Sequence, residues 1–211
     1  MARWAGFYMR SSRLAFVVGV AVTLALVEHG AKIEATGEKK SLDPAVQFKD
    51  VDGRPQTPLA LADRKASVLF FLLPDCPVSN SYAPEIKRIC ADYEAKKIVA
   101  FVVHADPDVT AEQAKKHAKE FGFSCPVLLD PTHVLVKKTG VTMAPEVAVV
   151  GPDSKVLYRG RIDDWYADYG KRRAAPTQRD LRNALDAVLQ GKTIAIPTTK
   201  VIGCYLPETN K

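Results

Sequence analysis

The stretch SVLFFLLPDCPVS, residues 67–79, decides the fold. It opens with a continuous apolar run, Ser67 to Leu73, which suits a strand buried on both faces. Pro74 and Asp75 turn the chain, and Cys76 follows. Pro77 then stands at the first expected helical position, where a proline sacrifices no hydrogen bond. Counting from Ile86, Ile89, Cys90 and Tyr93 fall at spacings of three, four and seven, one face of a helix predicted from Pro77 to Lys96. Cys76 lies outside that stripe. A thiol at a helix N-terminus faces unpaired N–H groups and the positive end of the dipole. Both favour the thiolate, which is the nucleophile, so Cys76 reads as reactive rather than as a small core residue.

Working outward, VQFKDVDG (residues 46–53) predicts a short strand with a turn at Asp52-Gly53. On the other side, Ile98 to Val103 predicts a second buried strand ending in His104. Thr110 with Gln113 forms a capping box, with Ala111, Ala114, Ala118 and Phe121 as the buried face of the helix it starts. Pro126 to Leu129 predicts a short strand, and Asp130 and Thr132 open a short helix ending near Gly140. Glu146–Val150 and Lys155–Arg159, joined by GPDS, predict a β-hairpin. Thr177 and Asp180 begin a last helix with Leu181, Ala184, Leu185, Val188 and Leu189 as its stripe. Alternating strands and helices followed by a hairpin imply an α/β fold, a mixed central sheet flanked by helices.

These motifs, in this order, resemble the thioredoxin-like superfamily. CPVS (76–79) with Ala83-Pro84 is similar to its active-site helix, the proline standing eight residues after the cysteine. Met143-Ala144-Pro145 resembles its cis-proline loop. The 69 residues from Cys76 to Pro145 leave room for an extra helix and strand, as in the redoxin branch that includes peroxiredoxins and exported thiol oxidoreductases. The resemblance covers about residues 45–190. It implies a thioredoxin-like fold with that insertion, no cofactor, and a thiol or disulfide partner, protein or small molecule. It also implies that Ala144 and Pro145 position the partner beside Cys76; Glu146, directly after them, reads either as a further residue touching the partner or as a strand residue. Three positions depart from relatives. Ser79 replaces the second cysteine of CxxC, and Leu73 replaces the threonine of peroxiredoxins. Asn80 stands where copper-delivering relatives carry a second cysteine.

Of the remaining cysteines, Cys90 lies on the apolar helical face and reads as core. Cys125 reads as buried, with a disulfide partner left open. Cys204 sits in an irregular tail, residues 191–211, as IGCYLP. It is the candidate resolving thiol for Cys76, against a structural bond or a free thiol. Four cysteines allow three full pairings, and the sequence does not choose among them. Asp75, Ser79, His104 and Arg161 are candidates to surround the thiol. His104 reads either as an aid to ionisation or as a polar strand tip, and His117 and His133 as surface residues. The stretch RGRIDDWY, residues 159–166, reads as a contact surface or as a solvated loop anchored by Trp165.

The 211-residue chain is 47% hydrophobic and 26% charged, a globular composition. Its net charge is +6, of which residues 1–35 carry +2; the scattered remainder does not suggest nucleic acid. Arg3, Arg10 and Arg13 precede the apolar run at residues 14–27, so residues 1–35 read as a secretory signal or an N-terminal membrane anchor. Residues 36–44 follow as a linker. Export favours persistent disulfides. Three functions fit these features. The first is an exported thiol–disulfide oxidoreductase, and the second a peroxide-reducing redoxin. The third is a binding module that holds a partner through the Trp165 loop, or a metal through Cys76, His104 and Cys204. The sequence does not specify an oligomeric state.

Overall fold

Ala66–Leu72 forms the central strand β3 of the computed structural model, which describes residues 46–209. The basic and apolar N-terminal segment and the linker lie outside the described residues. Ahead of β3, β1 (Phe48–Lys49) and β2 (Pro55–Gln56) make a small antiparallel hairpin. The Asp50 carboxylate closes its turn by accepting from the Asp52 and Arg54 N–H groups and from Gln56 Nε2.

After β3 come α1 (Pro77–Ser81), α2 (Ala83–Glu94), β4 (Ile98–His104), α3 (Ala111–Phe121), β5 (Val127–Leu129) and α4 (Val134–Thr139). The second half adds β6 (Met143–Ala144), β7 (Glu146–Val150), β8 (Val156–Gly160), β9 (Tyr166–Asp168), β10 (Lys171–Arg172), α5 (Asp180–Leu189) and β11 (Cys204–Tyr205). The main sheet runs β5-β4-β3-β7-β8. Its β3, β4 and β5 are parallel, and β7 and β8 are antiparallel. Side chains alternate along β3. Val68, Phe70 and Leu72 pack with Ile86 and Ile89 of α2 and Leu181 and Leu185 of α5. Leu69 and Phe71 face the opposite cluster with Phe101, Val103 and Leu135 of α4. Both faces are covered, which explains the uninterrupted apolar run.

Four sequence expectations are corrected. The helix predicted over Pro77–Lys96 is two helices broken at Tyr82. Pro84 lacks an N–H, and its ring would collide with the carbonyl one turn back. In α3 the capping box is present, but Ala111 is exposed, and the buried positions are Ala114 and His117. His117 and His133 are therefore not surface residues. His117 packs against Phe121 and Phe123, and His133 Nε2 lies 2.7 Å from the Ala105 carbonyl oxygen. Nor is the tail irregular throughout. Arg159 N–H donates to the Pro197 carbonyl and Thr199 N–H to the Arg159 carbonyl, and β11 follows as a paired strand.

Candidate active site around Cys76 and Cys204

Cys76 caps α1 in an extended conformation (φ −89°, ψ 113°), and its N–H donates to the Leu73 carbonyl at 3.1 Å. Its side chain is 2% exposed, and its Sγ is bonded to Sγ of Cys204. The two residues are 128 apart in sequence, with Cα atoms 6.3 Å apart. What brings them together is a pairing absent from the main sheet. β11 lies antiparallel on β6, with Cys204 opposite Ala144 and Tyr205 opposite Met143. The Leu206 N–H extends the ladder by donating to the Thr142 carbonyl at 3.1 Å. The Ala144–Pro145 peptide is cis. The Ala144 carbonyl oxygen is 3.4 Å from Cys76 Sγ, so the loop and the tail meet over the same sulfur.

Two glycines let the tail approach. A Cβ on Gly203 would overlap the Ala144 carbonyl, and one on Gly160 would overlap the Thr199 backbone. Because the group met at Gly203 is backbone, Gly203→Ala is expected to push β11 off β6 at a cost of about 1–3 kcal/mol to the oxidised form. The Cys76–Cys204 bond then becomes easier to reduce by about 20–60 mV. Equilibration in glutathione buffers measures this directly, and an unchanged potential would mean that the tail absorbs the methyl group.

Glu146 does not stand free to meet a partner. It is buried at the start of β7, and its Oε2 accepts from the Thr142 and Met143 N–H groups at 2.8 and 3.1 Å. Arg159 Nε lies 3.5 Å from its Oε1. Glu146 thus braces the strand that carries Ala144 and the cis peptide. Arg161 is paired with another element: its Nε donates to Asp180 Oδ2 at 2.8 Å at the start of α5. Ser79 is buried, and its Oγ is 3.5 Å from the Leu73 nitrogen. Asp75 is exposed at the edge of a cavity shared with Asn80 and His117.

His104 is fully buried rather than a polar tip, and its hydrogen bond leads away from Cys76. Nδ1 lies 3.2 Å from the Leu72 carbonyl oxygen, so it carries the proton. Nε2 has no partner. Burial, with a contribution from His117, lowers its pKa to about 4. The two rings meet edge to face, centroids 4.9 Å apart. His117 links this pair to the active-site helix. Asn80 Nδ2 donates to the Pro74 carbonyl at 2.7 Å, which leaves Oδ1 to accept from His117 Nε2 at 2.9 Å. In the sequence Asn80 stands only as the residue in place of a cysteine, and no local signal marks it.

The Trp165 loop packs on the break between α1 and α2. Tyr82 Oη donates to Asp163 Oδ1 at 2.8 Å, and the Tyr82 and Trp165 rings meet edge to face at 5.7 Å. Burial raises the pKa of Asp163. Asp164 is also desolvated, but hydrogen bonds from Thr177 and Gln178 and the charge of Arg173 lower its pKa to about 2. Two buried carboxylates, more than the half-buried Trp165, anchor the loop.

A strand-to-helix cysteine, a cis-proline loop beside it and an inserted α3–β5 segment agree with residues 37–168 matching the Redoxin family. The chain is a redoxin. Membership places it among thiol-based oxidoreductases. No curated protein matches its sequence. Among solved structures, this redoxin is similar to an uncharacterized conserved protein from Geobacillus kaustophilus. The two are 26% identical with a TM-score of 0.69, covering 82% of this chain and 92% of that one. A hypothetical protein from Sinorhizobium meliloti 1021 is 24% identical with a TM-score of 0.70, covering 81% and 95%. A candidate thiol:disulfide interchange protein DsbE from Chlorobium tepidum shares the fold at 19% identity and a TM-score of 0.53, covering 71% and 97%.

Proposed function

We propose that this redoxin is an exported thiol–disulfide oxidoreductase with Cys76 as nucleophile and Cys204 as resolving thiol. The observation that carries this reading is the Cys76–Cys204 bond formed over the cis-proline loop. In the reduced form the Cys76 thiolate attacks a partner disulfide. A mixed disulfide forms, and one partner thiolate leaves with a proton from solvent. The Cys204 thiolate then attacks Cys76 Sγ, releasing the second partner thiol and restoring the bond. Run in reverse, the same steps oxidise a partner dithiol. Ala144 and Pro145 offer backbone to the partner once β11 lifts away, and Glu146 holds their strand in place. Ser79 at the CxxC position leaves Cys204 to do what a helix cysteine does in thioredoxins. The basic and apolar segment within residues 1–35 supports export, as a signal or an anchor, to a compartment where such exchange operates.

Trapping tests the assignment of roles. Reduced Cys204→Ser protein, mixed with a disulfide-bonded peptide, is expected to accumulate a one-to-one mixed disulfide on Cys76, whereas the native chain turns over. Rapid release of the peptide from Cys204→Ser without added thiol would remove Cys204 from the cycle. Consumption of hydrogen peroxide by the native chain at a rate above thiol exchange would replace the reading with a peroxidase.

A further inference from the structure

The proposed cycle uses two of the four cysteines, and the other two also meet. Cys90 on α2 and Cys125, just ahead of β5, have Sγ atoms 3.2 Å apart. Two thiolates on one tetrahedral metal at ~2.3 Å would sit roughly 3.8 Å apart, so the pair is too close to be half of a metal site. Among the described residues no group of three histidine, cysteine or acidic side chains is placed to hold a metal. A disulfide needs about 2.05 Å, an approach of roughly 1 Å from here. The two thiols also differ in access. Cys90 is 8% exposed, whereas Cys125 is half-buried and lines a cavity of about 360 Å³ with Lys115, Phe123 and Ser124.

We infer that Cys90 and Cys125 form a second disulfide, made by exchange with a small disulfide that enters this cavity. Cys125 is the attacking group. The Cys90 S–H donates to it, which lowers the Cys125 pKa and, with burial, raises that of Cys90. The Cys125 thiolate attacks one sulfur of the small disulfide, and one small thiolate leaves and takes a proton. Cys90 then loses its proton and attacks Cys125 Sγ, expelling the second small thiol. Two protein thiols are oxidised, and one small disulfide is reduced to two thiols. The new bond ties α2, the helix that comes after the short α1 capped by Cys76, to the inserted α3–β5 segment. It does not depend on Cys76 being the nucleophile.

The test is a disulfide map of the full chain after incubation with oxidised glutathione, acid quenching, unfolding and alkylation. Cys90 and Cys125 are expected to resist alkylation in denaturant, to appear as one linked peptide pair, and both to label after reduction. The Cys76→Ser/Cys204→Ser double variant is expected to give the same linked pair, which separates this bond from the proposed active site. If both thiols alkylate in the unfolded double variant without reductant, the inference is overturned. A glutathione adduct that stays on Cys125 beside a free Cys90 overturns it equally.

Discussion

Cys76→Ser is expected to abolish disulfide exchange and to make the chain less stable than oxidised native protein by about 2–5 kcal/mol. The first effect follows from chemistry: a serine hydroxyl neither attacks disulfides nor stores electrons in a bond. The second follows from topology. The Cys76–Cys204 bond closes a 128-residue separation, among the larger loops for which chain entropy gives a stabilisation near ~5 kcal/mol. The substitution itself is mild in the fold. A serine hydroxyl at this buried site has the Ala144 carbonyl, now 3.4 Å from Sγ, as an acceptor, so no polar group is left unpaired. Denaturant unfolding should therefore place Cys76→Ser beside reduced native protein and well below the oxidised form. Exchange with a disulfide peptide should fall to the rate of the buffer thiol alone. Retained exchange would move the activity to Cys204 or to the Cys90–Cys125 pair.

The core of this redoxin is legible because local pattern and burial agree there. Ser67 to Leu73 has no polar break, and the strand it forms is covered on both faces. The capping box at Thr110 and Gln113 sets the start of α3 through bonds only three residues apart. The tail is harder because nothing local announces β11. Its pairing with β6 joins Cys204 to Ala144, 60 residues back, and it depends on the missing side chain of Gly203. The polar residues near the site are hard for the same reason. Glu146 reads as facing a partner and Arg161 as flanking the thiol until Thr142 and Met143 occupy the first and Asp180 the second. His117 is the instructive case. A histidine on a helix whose other residues are mostly exposed reads as solvated, yet its position faces His104 and two phenylalanines. Residue type suggested the surface, and the position on the helix face decided for the interior.

Acid is expected to weaken the fold through His104, by about 3 kcal/mol between pH 6.5 and 4. Burial keeps this ring neutral in the folded chain, with a pKa near 4 against 6.5 in its ordinary setting. Above pH 6.5 both folded and unfolded chains hold it neutral, and its contribution to stability is complete. As pH falls through that window the unfolded chain takes the proton and the folded chain does not, so the equilibrium shifts toward unfolding. Below pH 4 both forms are protonated and the slope from this group ends. His117 adds to the same trend because burial lowers it too, while Glu120 and Asp75 oppose the shift. Asp164, held at about 2 against an ordinary 3.8, loses its contribution mainly below pH 4, so it adds little to the slope in this window. Denaturant unfolding at intervals from pH 7.5 to 4 measures the effect, and His104→Gln should flatten most of it. A native profile that is level from pH 6.5 to 4.5 would contradict a neutral buried ring. The location gives the slope a functional reading. His104 Nδ1–H donates to the carbonyl of Leu72, the last residue of β3 before the turn to Cys76. Forcing a proton onto Nε2 charges a ring whose outer nitrogen has no partner among the described residues, on a side chain bonded to the strand end that leads to the thiol. Loss of exchange activity on acidification should therefore begin no later than loss of the fold.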